Sequence, residues 1–199
     1  MFYEPGKGHG LPHNPFKAIV APRPIGWIST RAADGSVNLA PYSFFNGVSD
    51  TPPVVMFSSS GRKDSLENAE ATGEFVCNFV GEALFKAMSQ TSFSYERGVS
   101  EFEAAGLAEA ECRIVKAPRV ADAPAALECL VTEIRRVKGL AGDTNNWMVF
   151  GEVVGVHIDD AMLTDGLFDL AKAKPVSRLG YLDYGVQPEI VPLPRPSHG

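Results

Sequence analysis

The distribution of proline and glycine most strongly limits what this chain can fold into. Its 15 prolines and 19 glycines are spread along 199 residues as breaks between short apolar runs. Because proline removes a backbone donor and glycine favours turns, this pattern disfavours long helices and is typical of short strands joined by tight turns. The sequence therefore predicts a mainly β protein with antiparallel strands and a few helices.

A first hairpin is predicted where residues 25–30 and 37–45 flank an Asp34-Gly35 turn, since both turn residues tolerate positive φ. After Pro52-Pro53, residues 54–58 form a strand whose nearly continuous apolar character predicts burial on both faces. A helix should follow, capped by Asp64 or Ser65 and ended by Gly73.

Further along, residues 75–79 read as a strand, residues 82–89 as a short helix, and residues 90–106 as an excursion from the sheet. Such an excursion can border an active site or be disordered. Residues 126–138 and 147–158 predict a second, long hairpin across a Gly/Asp/Asn-rich link. Without a repeat or linker, residues 1–199 predict one domain, with a flexible arm over 1–14 and a proline-rich tail over 187–199.

Charge and composition exclude several classes of partner. The net charge of −6 argues against nucleic acid and anionic membrane, which both require a basic surface. No apolar run approaches the ~20 residues that span a bilayer, and no secretory signal is visible. Cys77, Cys112 and Cys129 form no CxxC pair, which favours a reducing cytoplasm, and Cys77 is expected to be a small buried hydrophobe.

Residues 58–68 hold the most distinctive polar cluster of the chain. Serines, an arginine and a lysine stand between a strand and a helix start, and hydroxyls, cations and free helix amides together favour a phosphate group. An ordinary solvated surface turn explains the same residues equally well. The P-loop spacing and the Gly-x-Gly-x-x-Gly fingerprint are both absent, so a nucleotide triphosphatase and a Rossmann dehydrogenase are disfavoured.

No catalytic side chain or metal site emerges from the sequence. There is no Gly-x-Ser-x-Gly elbow, no CxxC or His-x3-His pair, and His157 lies in a strand where a structural role is expected. We therefore predict no catalytic residue and no metal ligand. This favours a cofactor that brings its own reactivity, and a flavin fits the small polar residues of the first hairpin, although any half-buried hairpin shows similar alternation.

Several ordered motifs resemble the flavin reductase-like family of FMN-binding split β-barrels, whose relatives include flavoredoxin and reductase components of two-component monooxygenases. The resemblance extends from about Lys17 to about Tyr184. The motifs are Arg23-Pro24, Trp27-Ile28-Ser29-Thr30, Asn38-Leu39-Ala40-Pro41-Tyr42-Ser43-Phe44-Phe45, Pro52-Pro53, Arg62-Lys63-Asp64-Ser65-x-x-Asn68, Gly73-Glu74-Phe75-Val76-Cys77-Asn78, Phe150-Gly151-Glu152-Val153 and Lys174-Pro175-Val176-Ser177-Arg178-Leu179-Gly180. The resemblance implies an antiparallel Greek-key barrel with a few peripheral helices.

The resemblance also implies a cofactor site. Ser29, Thr30 and the backbone of residues 40–43 would border the isoalloxazine and ribityl chain, and Arg178 would close over the flavin from either subunit. The group implied to hold the phosphate comprises Ser58, Ser60, Arg62, Lys63 and Ser65, with Asn68 supporting the loop. The full implied set of FMN-binding residues is Arg23, Ile28, Ser29, Thr30, Asn38, Ala40, Pro41, Tyr42, Ser43, Phe44, Phe45, Asn46, Ser58, Ser60, Arg62, Lys63, Asp64, Ser65, Asn68 and Arg178.

The implied activity is an NAD(P)H-dependent flavin reductase in which hydride passes from the nicotinamide to flavin N5 and then to free flavin or another acceptor. NADH or NADPH would stack on the flavin against an aromatic such as Phe45, Phe93 or Tyr95. The family further implies a homodimer with FMN near the interface, and a monooxygenase or electron-transfer partner. Two alternatives stay open: a flavoredoxin-like electron carrier reduced by a partner, and a β-barrel interaction module.

Overall fold

The computed structural model describes residues 1–96 and 99–194. Two long strands, Ala125–Gly139 and Gly142–Ile158, form the main hairpin of the fold. The strands are β1 (Arg23–Pro24), β2 (Gly26–Arg31), β3 (Val37–Tyr42), β4 (Phe45–Asp50), β5 (Pro53–Ser60), β6 (Glu74–Asn78), β7 (Glu109–Ala110), β8 (Arg119–Val120), β9 (Ala125–Gly139), β10 (Gly142–Ile158), β11 (Leu163–Thr164), β12 (Leu167–Phe168), β13 (Val176–Arg178) and β14 (Tyr184–Val186). The helices are α1 (Phe16–Ile19), α2 (Asp64–Thr72), α3 (Phe85–Gln90), α4 (Glu101–Ala104) and α5 (Leu170–Ala173), and 3-10 turns occupy Pro5–Lys7, Glu82–Leu84 and Asp160–Met162.

The main sheet has seven antiparallel strands in the order β3-β2-β6-β9-β10-β5-β4. Its two edge strands, β3 and β4, are consecutive in sequence and are joined only by Ser43 and Phe44. So short a connection between opposite edges requires the sheet to curl, and the carbonyl of Phe44 accepts a 2.8 Å hydrogen bond from the Ser58 amide on β5. The mainly antiparallel β prediction is therefore confirmed, while the pairings of the described strands give a curled sheet and not a closed barrel.

The interior of the curl is filled by apolar side chains and covered by α2. Ile28, Phe57 and Phe75 are fully buried there, with the Phe57 and Phe75 rings 5.3 Å apart and edge to face. Leu66 of α2 packs into the same cluster because its helix lies across the curled sheet. Gly151 leaves room for Phe75, since a Cβ there would lie 2.4 Å from that ring.

A second core lies on the outer face of β2 and β3. Trp27 is fully buried there, and Met88 of α3 and Phe102 of α4 pack against the same cluster. The predicted excursion thus returns to the sheet, where the Leu39 amide donates to the Glu101 carboxylate at 3.1 Å. Arg97 and Gly98, within that excursion, lie outside the described residues.

Three local predictions need correction. Burial in β5 alternates, because Val55 is buried whereas Val54 is half-buried, so the expectation of burial on both faces was wrong. The N-cap of α2 is Lys63, and Ser65 lies inside the first helical turn and does not cap it. Gly73 does end the helix, with a left-handed φ of 73°.

Both predicted hairpins are present. In the first, β2 and β3 pair from Gly26↔Tyr42 to Arg31↔Val37, and in the second, β9 pairs with β10 with several bulges. The first hairpin is shorter than predicted, since Phe45 begins β4. Within the expected arm of residues 1–14, the only regular element is the 3-10 turn Pro5–Lys7. Of the expected tail, residues 187–194 carry no helix or strand and residues 195–199 lie outside the described chain.

Candidate functional site

The start of α2, at the end of β5, is the candidate anion site. Gly61, with a φ of 81°, turns the chain between the strand and the helix, and its amide donates to the Asn145 carbonyl at 2.7 Å. Lys63 occupies the N-cap with extended backbone and makes no side-chain cap. The first backbone N–H groups of a helix have no partner within that helix, and the helix dipole is positive there. This end of α2 is therefore prepared to accept an anion.

The serines of β5 divide between the two faces of the strand. Ser59 is fully buried, and its hydroxyl donates to the Gly61 carbonyl at 2.9 Å. Ser58 is half-buried and Ser60 exposed, and alternation along a strand places both on the outer face. They are separated by about 7 Å along the strand. Ser58 also adjoins Phe44 through its backbone amide.

The two cations of the turn differ in their pairing. Arg62 makes ion pairs with Glu67 at 3.5 Å and with Glu70, and the Glu70 hydrogen bond raises the pKa of its guanidinium. Its guanidinium also lies 5.4 Å from the Trp147 ring centre. Lys63 is exposed and makes no ion pair within residues 1–96 and 99–194. Lys63 is thus ready for an anion, whereas Arg62 would exchange its carboxylate partners for one.

Ser65 has a structural use that the sequence did not reveal. It is almost fully buried, and its hydroxyl accepts a 2.7 Å hydrogen bond from the Asn38 amide group. Burial raises the pKa of Tyr42, whose hydroxyl lies near Ser65 and Ser59. Ser65 therefore joins α2 to β3 through its side chain. A phosphate contact by its hydroxyl stays a prediction, and its backbone amide lies in the open first turn of α2.

Ser29 and Thr30 lie on opposite faces of β2, as adjacent strand residues must. The Ser29 hydroxyl is fully buried, donates to the Pro118 carbonyl at 2.5 Å and accepts from Asn78 at 3.0 Å. Thr30 accepts a 3.0 Å hydrogen bond from Asn68 of α2. Asn68 thus fastens the helix to the sheet. The predicted flavin contacts of Ser29 and Thr30 are not tested by this geometry, but both hydroxyls are engaged within the protein.

Arg23 and Arg178 lie opposite one another in the β1–β13 pair. The buried Arg23 guanidinium donates to the carbonyls of Lys17, Val20 and Leu179, and burial lowers its pKa. Arg178 donates to the carbonyl of Asp183 at 3.0 Å. The two arginines therefore hold the segments before β1 and after β13 in place, and a flavin contact by either stays a prediction.

The other implied residues are spread over three environments. Ile28 is a fully buried member of the inner core. Half-buried positions at the β3–β4 corner are Ala40, Pro41, Ser43, Phe44 and Phe45. Asn46 on β4 and Asp64 on α2 are exposed.

An apolar cavity of about 360 Å³ opens at the end of the curl away from α2. It is lined by Pro22, Pro24, Ile25, Phe45, Cys77, Asn78, Phe79, Val80, Ala125, Leu127, Pro175, Val176 and Ser177. Among the implied flavin residues, Phe45 alone lines it. Sequence reasoning missed this cavity because its walls come from distant segments that share no local motif.

His157 lies within a cluster that the sequence did not predict. Its Nε2 lies 2.6 Å from the buried carboxylate of Glu128. That carboxylate also accepts backbone N–H groups of residues 113–115. Burial alone would raise the pKa of Glu128, but these hydrogen bonds lower that pKa to about 2. Cys112 completes the cluster, and burial raises the pKa of its thiol to about 12. Cys77 is buried, as predicted.

These features define a class of protein: a curled antiparallel sheet with a polar corner at the start of α2 at one end and an apolar cavity at the other. A family model described as "Flavin reductase like domain" matches residues 20–178. The chain belongs to this flavin reductase-like family, as the resemblance implied.

Individual relatives agree with this assignment. An uncharacterised protein of Aquifex aeolicus is 40% identical over 168 residues, covering 81% of this chain and 83% of that protein. Nitrilotriacetate monooxygenase component B from Bacillus cereus matches with a TM-score of 0.84 and 28% identity, covering 94% and 100% of the two chains. Flavoredoxin of Desulfovibrio vulgaris (Miyazaki F) shares the fold, with a TM-score of 0.74 and 21% identity over 86% and 90%.

Family membership supports a flavin cofactor and oxidoreductase chemistry. The start of α2 could hold the phosphate end of such a cofactor, because within the described residues no side chain caps this helix and Lys63 makes no ion pair. Among the described residues, none of the helices has the length and apolar character needed to cross a membrane.

Proposed function

We propose that this protein is an NAD(P)H-dependent flavin reductase that binds FMN with its phosphate at the start of α2. When bound, FMN supplies a hydride-accepting centre at N5. The observation that carries the proposal is the uncapped helix start at Lys63, beside Ser58 and Ser60. The similarity to a monooxygenase component B supports a reductase that delivers electrons to free flavin or to a partner protein.

In this proposal the phosphate accepts hydrogen bonds from the first amides of α2 and from the Ser60 hydroxyl, while Lys63 balances its charge. Arg62 joins by turning away from Glu67 and Glu70, whose carboxylates it holds in the structure. Asn68 and Ser65 act one layer behind and hold the helix against β2 and β3. Their hydrogen bonds keep the anion-binding amides in place.

Phe45 is our candidate for bordering the nicotinamide or flavin ring. It alone of the three proposed aromatics lines the apolar cavity, whereas Phe93 is 70% exposed and contacts Tyr95 edge to face.

We also propose a homodimer with FMN near its interface. Exposed apolar side chains on the sheet, such as Val48, Leu130 and Val156, support a covered face, and light scattering would test it.

The phosphate assignment is tested by comparing FMN with riboflavin. Replacing Arg62 and Lys63 by alanine should weaken FMN binding by about 10- to 100-fold per lost charged hydrogen bond and leave riboflavin binding almost unchanged. The double variant Lys86→Ala/Arg135→Ala removes the same charge from two exposed positions elsewhere and serves as the control. Equal losses for both ligands would refute the phosphate site. Failure of the unaltered protein to bind FMN would refute the proposed function and favour the alternative hypothesis of a β-barrel interaction module.

The reductase and the flavoredoxin-like carrier are separated by rapid mixing without oxygen. A reductase bleaches its flavin absorbance with NADH or NADPH alone, and the faster of the two reductants identifies its preference. A carrier keeps its absorbance until a partner reductase is added. The shared fold of a flavoredoxin is the observation that favours this second candidate.

A further inference from the structure

We infer that Cys112, Glu128 and His157 form a binding site for a divalent transition metal ion such as Zn²⁺. One ligand atom from each residue lies within 4.8 Å of the other two. A thiolate, an imidazole and a carboxylate are the three ligand types that zinc takes in proteins, and three protein ligands leave a fourth position for water. This inference concerns a different part of the molecule from the flavin site and does not depend on it.

The three ligands come from separate elements that the fold brings together. Glu128 lies on β9 and His157 on β10, and Cys112 precedes the segment that covers these strands. In the strand register Glu128 lies opposite Gly155, where a Cβ would approach the carboxylate carbon to 3.1 Å. The missing side chain at Gly155 therefore lets the carboxylate lie across β10 and reach His157.

The carboxylate is oriented before any metal arrives. The Arg113 amide donates to its Oε1 at 2.9 Å, and the amides of Ile114 and Val115 donate to Oε2 at 2.7 and 2.9 Å. A metal needs to replace only the 2.6 Å contact between Oε1 and His157 Nε2. Hydrogen bonds that fix a ligand from behind are the usual support of metal sites.

The required movements are small. With Zn–N and Zn–O bonds of about 2.0 to 2.1 Å and a Zn–S bond of about 2.3 Å, tetrahedral ligands are separated by about 3.3 to 3.6 Å. The 2.6 Å distance between the carboxylate oxygen and the imidazole nitrogen would increase by about 1 Å or less. The Cys112 sulfur, which lies at most 4.8 Å from the other two ligand atoms, would approach them by at most a little over 1 Å. Cys112 lies outside the strands and directly precedes residues 113–115, whose amides Glu128 holds.

Charge and access also suit a dication. Glu128 and a Cys112 thiolate supply two negative charges against two positive ones. The thiol proton passes to solvent, and the proton that His157 Nε2 shares with Glu128 leaves that nitrogen, so that the bound imidazole carries its one proton on Nδ1. Nearby, the opposite charges of Glu74 and Arg119 offset each other. Cys112 also lines a polar cleft of about 440 Å³, which gives the ion a route from solvent.

The test titrates the chelator-treated, folded protein with Zn²⁺ alone by calorimetry. We expect one equivalent to bind per chain, and affinity to fall at least about 100-fold in Cys112→Ser and in His157→Gln. Cys77→Ala and His13→Gln are the matched controls and should bind as the unaltered protein does. With Co²⁺, tetrahedral bands should appear beyond the flavin absorption and vanish in Cys112→Ser.

The inference is overturned by substoichiometric zinc binding, or by full affinity in either cluster variant. Because Glu128 also holds residues 113–115, its replacement is left out of the test. Circular dichroism of Cys112→Ser and His157→Gln distinguishes loss of the ligand from loss of the fold.

Discussion

Replacing Asn78 by alanine should strongly destabilise the protein, because its side chain attaches the outer segment to the sheet. Asn78 is fully buried, its amide nitrogen donates to the Trp27 carbonyl and the Ser29 hydroxyl, both at 3.0 Å, and its oxygen accepts from the Val120 amide at 2.8 Å. Each of these contacts spans at least 42 positions in sequence. Asn78 therefore links β6 to β2 and to β8.

The magnitude follows from which groups lose a partner. The Val120 N–H becomes a buried donor without an acceptor, which costs about 1 to 3 kcal/mol. Ser29 keeps its bond to Pro118, and the Trp27 carbonyl has a second lone pair, so these two losses are each worth about 0.5 to 1 kcal/mol. We expect the free energy of unfolding to fall by about 2 to 4 kcal/mol.

Urea unfolding followed by tryptophan fluorescence measures this change, with FMN at one fixed concentration because a bound ligand adds to stability. Asn14→Ala is the matched control, since Asn14 is exposed, lies outside the implied FMN-binding set and accepts a local 2.9 Å hydrogen bond from the Phe16 amide. It should change stability by less than about 0.5 kcal/mol. A loss below about 1 kcal/mol for Asn78→Ala would contradict the structural role given to its carboxamide.

Three further predictions follow from packing and charge. Gly151→Ala should cost about 1 to 3 kcal/mol in urea unfolding because its Cβ would overlap Phe75, whereas Gly47→Ala meets open space and should be nearly neutral; equal effects would contradict the packing. Burial raises the pKa of Tyr42 above 10.0, so the stability that the neutral phenol contributes is fully present below pH 10 and is lost at higher pH. Tyr42→Phe should therefore make the free energy of unfolding fall less steeply above pH 10. An unchanged slope in that variant would contradict the role given to Tyr42. Arg23→Lys replaces a guanidinium that donates to three carbonyls by a single ammonium. Backbone amide hydrogen exchange should therefore become faster in residues 17–20 and around residue 179. Unchanged protection of these amides would show that the guanidinium is not needed there.

Much of the fold was predictable because its signals are local. The Asp34-Gly35 turn, the Gly73 helix end and the long second hairpin each depend on residues adjacent in sequence, and each is present. The helix begins one residue earlier than its first predicted cap, with Lys63 at the N-cap. The Ser65 hydroxyl accepts a hydrogen bond from Asn38 on another strand, so it joins two elements and does not cap the helix.

The candidate site was predictable in composition but not in geometry. Sequence order brought the serines, Arg62 and Lys63 to one turn, and the structure keeps them there. It could not show that Arg62 pairs with Glu67 and Glu70, that the Ser29 hydroxyl turns toward Pro118, or that the apolar cavity lies at the other end of the curl. Those facts depend on which strand face meets which neighbour.

The sequence by itself determined the antiparallel β character, the hairpins, the polar turn before α2 and the family to which the chain belongs, because turn chemistry and motif order are properties of short segments. Only the tertiary structure decided how far the sheet curls, which polar groups are buried, and that Cys112, Glu128 and His157 meet. The physical reason is that burial and long-range pairing are set by the packing of whole strands, which no local pattern encodes.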